Sequence, residues 1–360
     1  FLKPLSEIKT LNFIFCNNQT VIILLRYFLF IFSFILFSKC SSCQQSGNYK
    51  RDSVDLGNVK EMQIRLDSND RFTGVNQFPF KSILIEDVRF DTTQVGIYSV
   101  LNNIFIPAIK NYKINFKDGL GSSLGIYLNN FFKSNTGDKD IELVCFVKKL
   151  SIVKRDTLTD NISLQRTYGK VSFRAEVFLR NGTEFYTAFK IDTALTESIS
   201  IKKKEIVDEM KDYMLMPVLK LLQNEISNTA WDKILKKKSF SKSVVHENYF
   251  NSRFNLPVLT QSPKKGIYKT FSEFKNNSPS IIDFEVKKGK LKTVSLIDKK
   301  GNYLVTTKMF GFSDGEKYWI LKGNFSFPLI RTGNSFEFFL TVVNNLKILL
   351  AIDMENGDVY

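Results

Sequence analysis

The sequence is poor in the residues that most catalytic and metal sites require. It has one histidine, His246, and four cysteines among 360 residues. A single imidazole excludes most zinc sites and most acid–base designs built on several histidines. Four cysteines in so long a chain cannot form a disulfide scaffold. No P-loop, HExxH motif or EF-hand loop occurs, so we predict no metal and no cofactor.

One long apolar run lies near the N-terminus. It spans residues 21–37 and is interrupted only by Arg26 and Ser33. The eleven residues that follow Arg26, from Tyr27 to Phe37, are typical of the apolar region of a secretory signal behind a basic residue. The whole run is near the length of a short membrane anchor. We interpret residues 1–43 as an upstream segment with a signal peptide or membrane anchor. The polar residues 44–80 are predicted to be a flexible tether.

Two cysteines follow this run and suggest lipid attachment. Cys43 follows two serines, which are acceptable before an acylated cysteine, whereas Cys40 follows Lys39, which is a poor residue there. The sequence leaves three possibilities open: a lipid anchor on Cys43 or Cys40, an uncleaved membrane helix, and plain secretion. Both anchored forms place the protein at a membrane. All three are forms of export, and we expect the exported protein to lie in the cell envelope.

The chain carries an excess of positive charge. Lys and Arg number 51 against 36 Asp and Glu, a formal net charge of +15. Hydrophobic residues make up 43% and charged residues 24%, which excludes a disordered chain. A mean hydropathy of −0.11 argues against a protein with many membrane spans. Lysine-rich turns and helix ends are usually solvated faces. The alternative on an exported protein is a surface for anionic lipid or an acidic polymer, and we expect no nucleic acid partner.

Residues 81–238 have the pattern of strands followed by a long helix. Apolar and polar residues alternate over 171–179, Asn181-Gly182 follows, and the alternation then resumes. Asn-Gly between two alternating runs predicts a β-hairpin. Residues 202–238 have apolar side chains at helical spacing, with Pro217 expected to kink or split the helix. We predict an α+β domain whose antiparallel sheet is backed by helices.

The rest of the chain is predicted to contain a linker and a second domain. Residues 239–263 are polar and include Pro257 and Pro263, which favours a linker. Residues 264–360 contain short apolar runs separated by Gly, Asn and Asp turns. This rhythm predicts a mainly-β meander, roll or small barrel.

A short glycine-rich motif raises the possibility of a serine hydrolase. Residues 121–125, GSSLG, match the G-x-S-x-G elbow, which would make Ser123 the nucleophile and His246 its base. A hydrolase of that kind alternates strands and helices around the elbow and places its histidine after the last strand. Here a hairpin follows the motif, and a long β-rich segment follows His246. We therefore favour a glycine-rich loop before a helix capped by serine.

Two segments of the C-terminal part carry a resemblance. Residues 266–274 read GIYKTFSEF and residues 310–318 read FGFSDGEKY. This opening followed by a GFxDG hairpin resembles a pattern in exported envelope proteins of Bacteroidetes-type bacteria whose activity is not known. The resemblance implies an envelope location. The residue types in this motif predict a turn at Gly311, Asp314 and Gly315. The alternative is that Asp314 binds a ligand.

These observations predict a non-catalytic protein. We expect an exported, membrane-anchored envelope protein that acts as a binding or assembly module for a partner protein or a surface polymer. The expected partners are the membrane, through the N-terminal anchor, and an envelope protein or anionic polymer. One alternative is the hydrolase of Ser123 and His246. Another is a lipid or glycolipid carrier, which requires an apolar cavity beneath the first sheet.

Overall fold

The described part of the chain begins after the predicted anchor. The computed structural model describes residues 59–66, 72–73, 78–101, 109–133, 140–158, 165–199, 206–289, 293–341 and 346–360. Residues 56–360 form one compact unit. The predicted segment 1–43, with Cys40 and Cys43, lies outside the described residues. Among the described residues, no helix combines the length and apolar character that a membrane span requires.

The largest sheet of the described chain has eight strands. They are β1 (Val59–Ile64), β2 (Ser82–Asp87), β3 (Gly96–Leu101), β4 (Ile109–Phe116), β5 (Ile141–Leu158), β6 (Gln165–Asn181), β7 (Glu184–Ile199) and β8 (Ser239–Ser241). The order is β1-β4-β3-β5-β6-β7-β8, with β2 also paired to β5. Strand β1 lies inside the segment 44–80 that the sequence predicts as a tether. Its apolar Ile64 is buried in the core, which explains the ordered strand there.

The sheet is mixed: most of its pairing is antiparallel, as the prediction has it, and three of its strand pairs are parallel. Pairs β1–β4, β2–β5 and β3–β5 are parallel, and the remaining pairs are antiparallel. Strands β2 and β3 lie one after the other along the same side of β5, opposite residues 142–147 and 152–155. Alternation of apolar residues marks the buried face of a strand and carries no information on its direction. The α+β class itself is confirmed.

The hairpin of β6 and β7 is confirmed at the predicted turn. Asn181 pairs with Glu184, and Gly182 has a φ of 60°, which glycine adopts without steric cost. Alternation along β6 places Val171, Phe173 and Ala175 on one face of the sheet.

Helices cover that face, here called the helix face. They are α1 (Leu120–Phe132), α2 (Ile206–Glu209), a π-helical segment (Met210–Leu215), α3 (Met216–Asn228) and α4 (Trp231–Ile234). Leu124, Leu128 and Leu222 are fully buried against the sheet. Pro217 lies in the first turn of α3, directly after the π-helical segment, and Leu215 and Met216 keep right-handed helical dihedral angles across that junction. The predicted kink or split therefore takes the form of a change from π-helix to α-helix, without an interruption of the helix.

The opposite face, here called the junction face, carries the segment predicted as a linker. Residues 239–263 form β8, α5 (Lys242–His246), a second π-helical segment (Glu247–Asn251), α6 (Ser252–Phe254) and α7 (Pro257–Thr260). Val245 and Tyr249 pack against Phe146 and Phe178 of the sheet. These two apolar residues are four positions apart, so a helical turn directs both toward the sheet. The polar residues that suggested a linker lie on the side of the segment that faces away from the sheet.

The C-terminal part is built from short antiparallel strands, as the sequence predicts. Its elements are β9 (Gly266–Tyr268), α8 (Phe271–Lys275), β10 (Phe284–Lys288), β11 (Val294–Asp298), a 3₁₀ turn (Thr306–Lys308), β12 (Gly311–Ser313), β13 (Tyr318–Lys322), β14 (Phe325–Pro328), β15 (Ile330–Thr332), β16 (Ser335–Thr341) and β17 (Lys347–Ile352). They form the sheets β10-β11, β14-β13-β12-β9 and β15-β16-β17. Leu349 and Ala351 of β17 pack on Ile97 of β3. The last sheet therefore closes the rest of the junction face.

Candidate functional site

The structure does not bring Ser123 and His246 together. Ser123 lies within α1, on the helix face, and its N–H donates to the carbonyl oxygen of Gly119 at 3.1 Å. His246 is exposed at the end of α5, on the junction face, where its ring stacks on Phe250 at 5.0 Å. The sheet lies between the two helices. A nucleophile and its base must be within hydrogen-bond reach, so this pair has no catalytic geometry.

The glycines of the GSSLG motif serve the packing of α1 on β2. A Cβ atom at Gly121 would lie 3.0 Å from the carbonyl oxygen of Ile85, so the helix approaches the strand closely there. Asn129 fixes the same contact, because its side chain accepts from the N–H of Ile83 at 2.8 Å and donates to the Ile83 carbonyl at 2.7 Å. The motif is therefore explained by helix–strand packing.

The motif around Asp314 is a turn, as the sequence predicts. Its carboxylate accepts from the N–H groups of Glu316 and Lys317 at 2.9 and 2.8 Å and from Trp319 Nε1 at 3.3 Å. Burial alone would raise the pKa of Asp314, but these donors outweigh burial and lower it. Gly315 has a φ of 100°. At Gly311 a Cβ atom would lie 2.2 Å from the Trp319 carbonyl oxygen.

Cys145 is a buried core residue. It lies on the helix face of β5, and burial raises the pKa of its thiol to about 12. A thiol with so high a pKa forms little of the reactive thiolate at neutral pH.

A cluster of buried charged and amide groups lies on the junction face. Glu337 of β16 is fully buried and accepts from Lys113 Nζ at 2.9 Å and from Gln94 Nε2 at 2.7 Å. Gln94 also donates to Asp91 at 2.9 Å. Burial raises the pKa of the Glu337 carboxyl, and the charge of Lys113 opposes that rise. This cluster joins the loop before β3 to the last sheet.

A second group of ion pairs holds the residues after β17. Lys149 pairs with Asp353, and Arg174 and Arg253 both pair with Glu355. The chain folds back there, since Ala351 and Tyr360 exchange backbone hydrogen bonds of 2.9 and 3.0 Å. Cationic side chains of the sheet and of α6 therefore fix the C-terminal hairpin by its carboxylates.

Two small cavities lie beside these ion pairs. The first has a volume of about 30 Å³ and the second about 170 Å³, and both border Lys149, Ser151 and Tyr360. The first has room for a water molecule or two. The second is also lined by Lys170 and Asp358, both exposed, and it opens to solvent. An apolar cavity of about 150 Å³ accommodates benzene, so the second has room for one small polar group.

Strand β7 is an open edge of the sheet over much of its length. β8 pairs only with residues 184–186 of β7, and no other described strand pairs with β7 on that side. The next residues are partly covered, because Lys237 Nζ donates to the Thr187 carbonyl at 3.3 Å and Trp231 packs on Phe189. On the side of β7 away from β6, the backbone groups of residues 190–199 have no described strand partner.

The open edge differs in charge along its length. Lys190 and Asp192 place exposed charges on its first part. The following residues, 193–196, carry no charge, and Ala194 and Thr196 are exposed. Charged side chains on an edge strand discourage the addition of another strand, so the uncharged part is the receptive one.

Comparisons with known proteins add no family to these observations. Searches against protein-family models, curated proteins and solved structures found no match to this chain. Among the described residues, no group of three or more His, Cys, Asp or Glu side chains is arranged to hold a metal ion.

Neither the open edge nor the buried charge cluster follows from the sequence pattern. Lys113 and Glu337 did carry a signal, since each is a charged residue inside an alternating strand. The two residues are 224 positions apart in the chain, so only the fold identifies them as a pair.

Proposed function

We propose that the protein is a non-catalytic, membrane-anchored envelope protein that binds a partner protein by strand addition at β7. The observation that carries the proposal is the uncharged stretch of residues 193–196, which has no described strand partner on the side of β7 away from β6. An extended partner segment would pair its N–H and C=O groups with those of β7 and continue the sheet. The apolar run of residues 21–37 and Cys43 or Cys40 support the anchored location.

The rigidity of the neighbouring strands supports this role. β6 pairs with β7 from Asn181 to Thr167, so the edge is held along its whole length from behind. A backbone edge that is already ordered loses little conformational entropy when it binds. Half-buried Leu195 packs on the helix-face core, which fixes the alternation of the exposed side chains.

Photo-crosslinking in the producing cells tests this proposal. A photoreactive residue in place of exposed Ala194 should give one specific protein adduct in the membrane fraction. The matched control is the same residue in place of Glu225, which is exposed on α3. Absence of an adduct at position 194, or equal adducts at both positions, contradicts the proposal.

Proline substitutions separate pairing from mere proximity. Along an edge strand, consecutive N–H groups point alternately toward the neighbouring strand and away from it. One of the two variants Ala194→Pro and Leu195→Pro therefore removes an N–H that points outward from the sheet, and the other removes an N–H that is bonded to β6. The outward variant is recognised by its unchanged thermal unfolding. The photoreactive residue is then placed at Thr196 in the outward proline variant. Strand addition predicts that this variant no longer forms the crosslinked adduct with the partner protein, and an undiminished adduct would rule out strand addition.

The cavity of 170 Å³ favours a second candidate, the binding of an anionic polymer. Lys170 is exposed at its border and has no ion-pair partner among the described residues, while Lys149 is paired with Asp353. A single acidic group of a surface polymer has room to bind beside Lys170. Loss of acidic-glycan binding in Lys170→Gln, with binding unchanged in Lys220→Gln, would support this candidate.

The hydrolase and the lipid carrier have less support. The hydrolase requires Ser123 and His246 on the same side of the sheet, and they lie on opposite faces. A lipid carrier requires open apolar space beneath the sheet, where Leu124, Leu219 and Leu222 are fully buried in side-chain packing.

A further inference from the structure

A strip of exposed apolar side chains lies along the outer side of β11. Tyr303, Val305 and Phe325 are exposed to 69%, 56% and 43%. Large apolar side chains scattered singly over a surface are ordinary, whereas a contiguous group marks an interaction site.

Backbone hydrogen bonds place the first two side by side. Tyr303 forms a bridge with Ile297 of β11, and the N–H of Leu304 donates to the Leu296 carbonyl at 2.8 Å. Leu304 packs inward on the small core beneath, so its neighbours Tyr303 and Val305 both lie on the outer side.

Phe325 joins the strip at its other end. Thr306 Oγ1 and Asn324 Oδ1 are hydrogen-bonded at 2.6 Å, and the N–H of Val294 donates to the Asn324 carbonyl at 2.8 Å. Residues 305–306 and 324–325 are therefore adjacent. We name the surface formed by Tyr303, Val305 and Phe325 the β11 strip.

Lysines surround the β11 strip. Lys300 is exposed in the turn that precedes Tyr303, Lys308 is exposed just after Val305, and Lys322 pairs directly with Phe325. Residues 282–325 contain nine lysines and no arginine against five acidic residues, a net charge of 9 − 5 = +4. Lys299 is engaged with Asp283 at 2.5 Å.

We propose that the β11 strip docks on an anionic lipid surface. Tyrosine and phenylalanine favour the boundary between headgroups and acyl chains, and the flanking lysines are attracted to anionic headgroups. Affinity of this kind grows with the buried apolar area and with the lipid charge. Three side chains are few for a stable protein interface, which buries about 800 Å² on each partner. Docking of the strip is independent of strand addition at β7.

Hydrogen exchange on vesicles tests the docking in the full chain. The protein is reconstituted into vesicles of phosphatidylcholine alone and into vesicles of equal parts phosphatidylcholine and phosphatidylglycerol. Because the N-terminal segment is present in both samples, the comparison isolates the effect of lipid charge, and the position of the slower exchange shows where the contact lies. Backbone amides of residues 299–308 should exchange about tenfold more slowly on the anionic vesicles, since docking excludes water from them.

A triple serine variant of the strip is paired with a matched control. The variant Tyr303→Ser, Val305→Ser and Phe325→Ser should lose the slower exchange. The control, Tyr213→Ser, Val244→Ser and Phe240→Ser, removes the same residue types at exposed positions elsewhere and should retain it. Unchanged thermal unfolding of both variants shows that neither effect comes from misfolding.

Charge variants test the electrostatic part. Lys300→Gln with Lys322→Gln should reduce the difference between the two vesicle types about threefold or more. Equal exchange on both vesicles in the unmodified chain, or slower exchange that survives the triple serine variant, would overturn the proposal. Slower exchange that requires an added envelope protein and no anionic lipid would assign the strip to a protein partner and would also overturn it.

Discussion

The two faces of the eight-stranded sheet are closed by different physical means. On the helix face, strand residues such as Phe173 and Ile152 meet leucines of α1 and α3 in a continuous apolar core. On the junction face, apolar groups around Phe146 and Ile97 are separated by ion pairs such as Lys113–Glu337 and Lys149–Asp353. One face is closed mainly by apolar packing, with Lys154 and Gln223 among its few buried polar groups, and the other combines packing with several paired charges.

The two faces therefore contribute differently to the stability of the fold and to the specificity with which its parts dock. Apolar burial is non-directional, so many arrangements of helices would satisfy the helix face. A buried charge must meet its own partner, because an unpaired one is strongly destabilising. We infer that the helix face supplies most of the folding free energy and that the junction face fixes where the last sheet docks.

The largest effect is expected from the apolar face. Phe173→Ala removes a fully buried ring and should lower the free energy of unfolding by about 3–5 kcal/mol, measured by urea denaturation. Ile126→Ala, on the exposed side of α1, is the control and should cost under about 0.5 kcal/mol. Similar costs for the two variants would contradict the role assigned to the helix face.

A somewhat smaller effect is expected from the junction face. Lys113→Met leaves the buried Glu337 carboxylate without its cation and should cost about 3 kcal/mol. The double variant Lys113→Met with Glu337→Leu should cost less than the single one, since no unpaired charge is left. Lys81→Met, which breaks an exposed pair with Asp140, should leave the free energy of unfolding almost unchanged. Additive costs in the double variant would show that the pair does not act as a unit.

The smallest effect concerns pH, where two junction-face carboxyls should act in opposite directions. Burial raises the pKa of Glu337 above its usual 4.5, so the folded state holds that proton more tightly than the unfolded state. Its contribution to stability is therefore present at low pH and is lost as the pH rises through 4.5 toward the folded pKa.

Glu176 provides the contrasting case. Burial alone would raise its pKa, but hydrogen bonds from Lys148 and Tyr249 outweigh burial and lower it. Its contribution is present above 4.5 and is lost as the pH falls through the folded pKa. Urea unfolding from acid to neutral pH should therefore show opposite changes in slope for Glu337→Gln and Glu176→Gln. Parallel curves for the two variants would contradict this assignment.

Local patterns predicted many of the elements but not their connections. The β6–β7 hairpin follows from Asn181-Gly182 between alternating runs. A helix after the glycine-rich loop was also predicted, but the predicted serine cap is wrong, because α1 begins at Leu120 with Gly119 as its N-cap. The segment predicted as a linker contains helical turns instead, because Val245 and Tyr249 face the sheet from within polar surroundings. The turn at Asp314 was predicted, whereas the open edge of β7 required knowledge of where β8 ends.

The amino-acid sequence alone establishes which side of each strand is buried, where the tight turns lie and that the chain is basic. Those properties depend on neighbours a few residues apart or on composition. The global fold adds that β2 and β3 run parallel along β5, that Lys113 meets Glu337, and that β7 is left open. Each of these is a choice of partner over a long sequence separation, and such choices are settled by packing the whole chain, not by any local pattern.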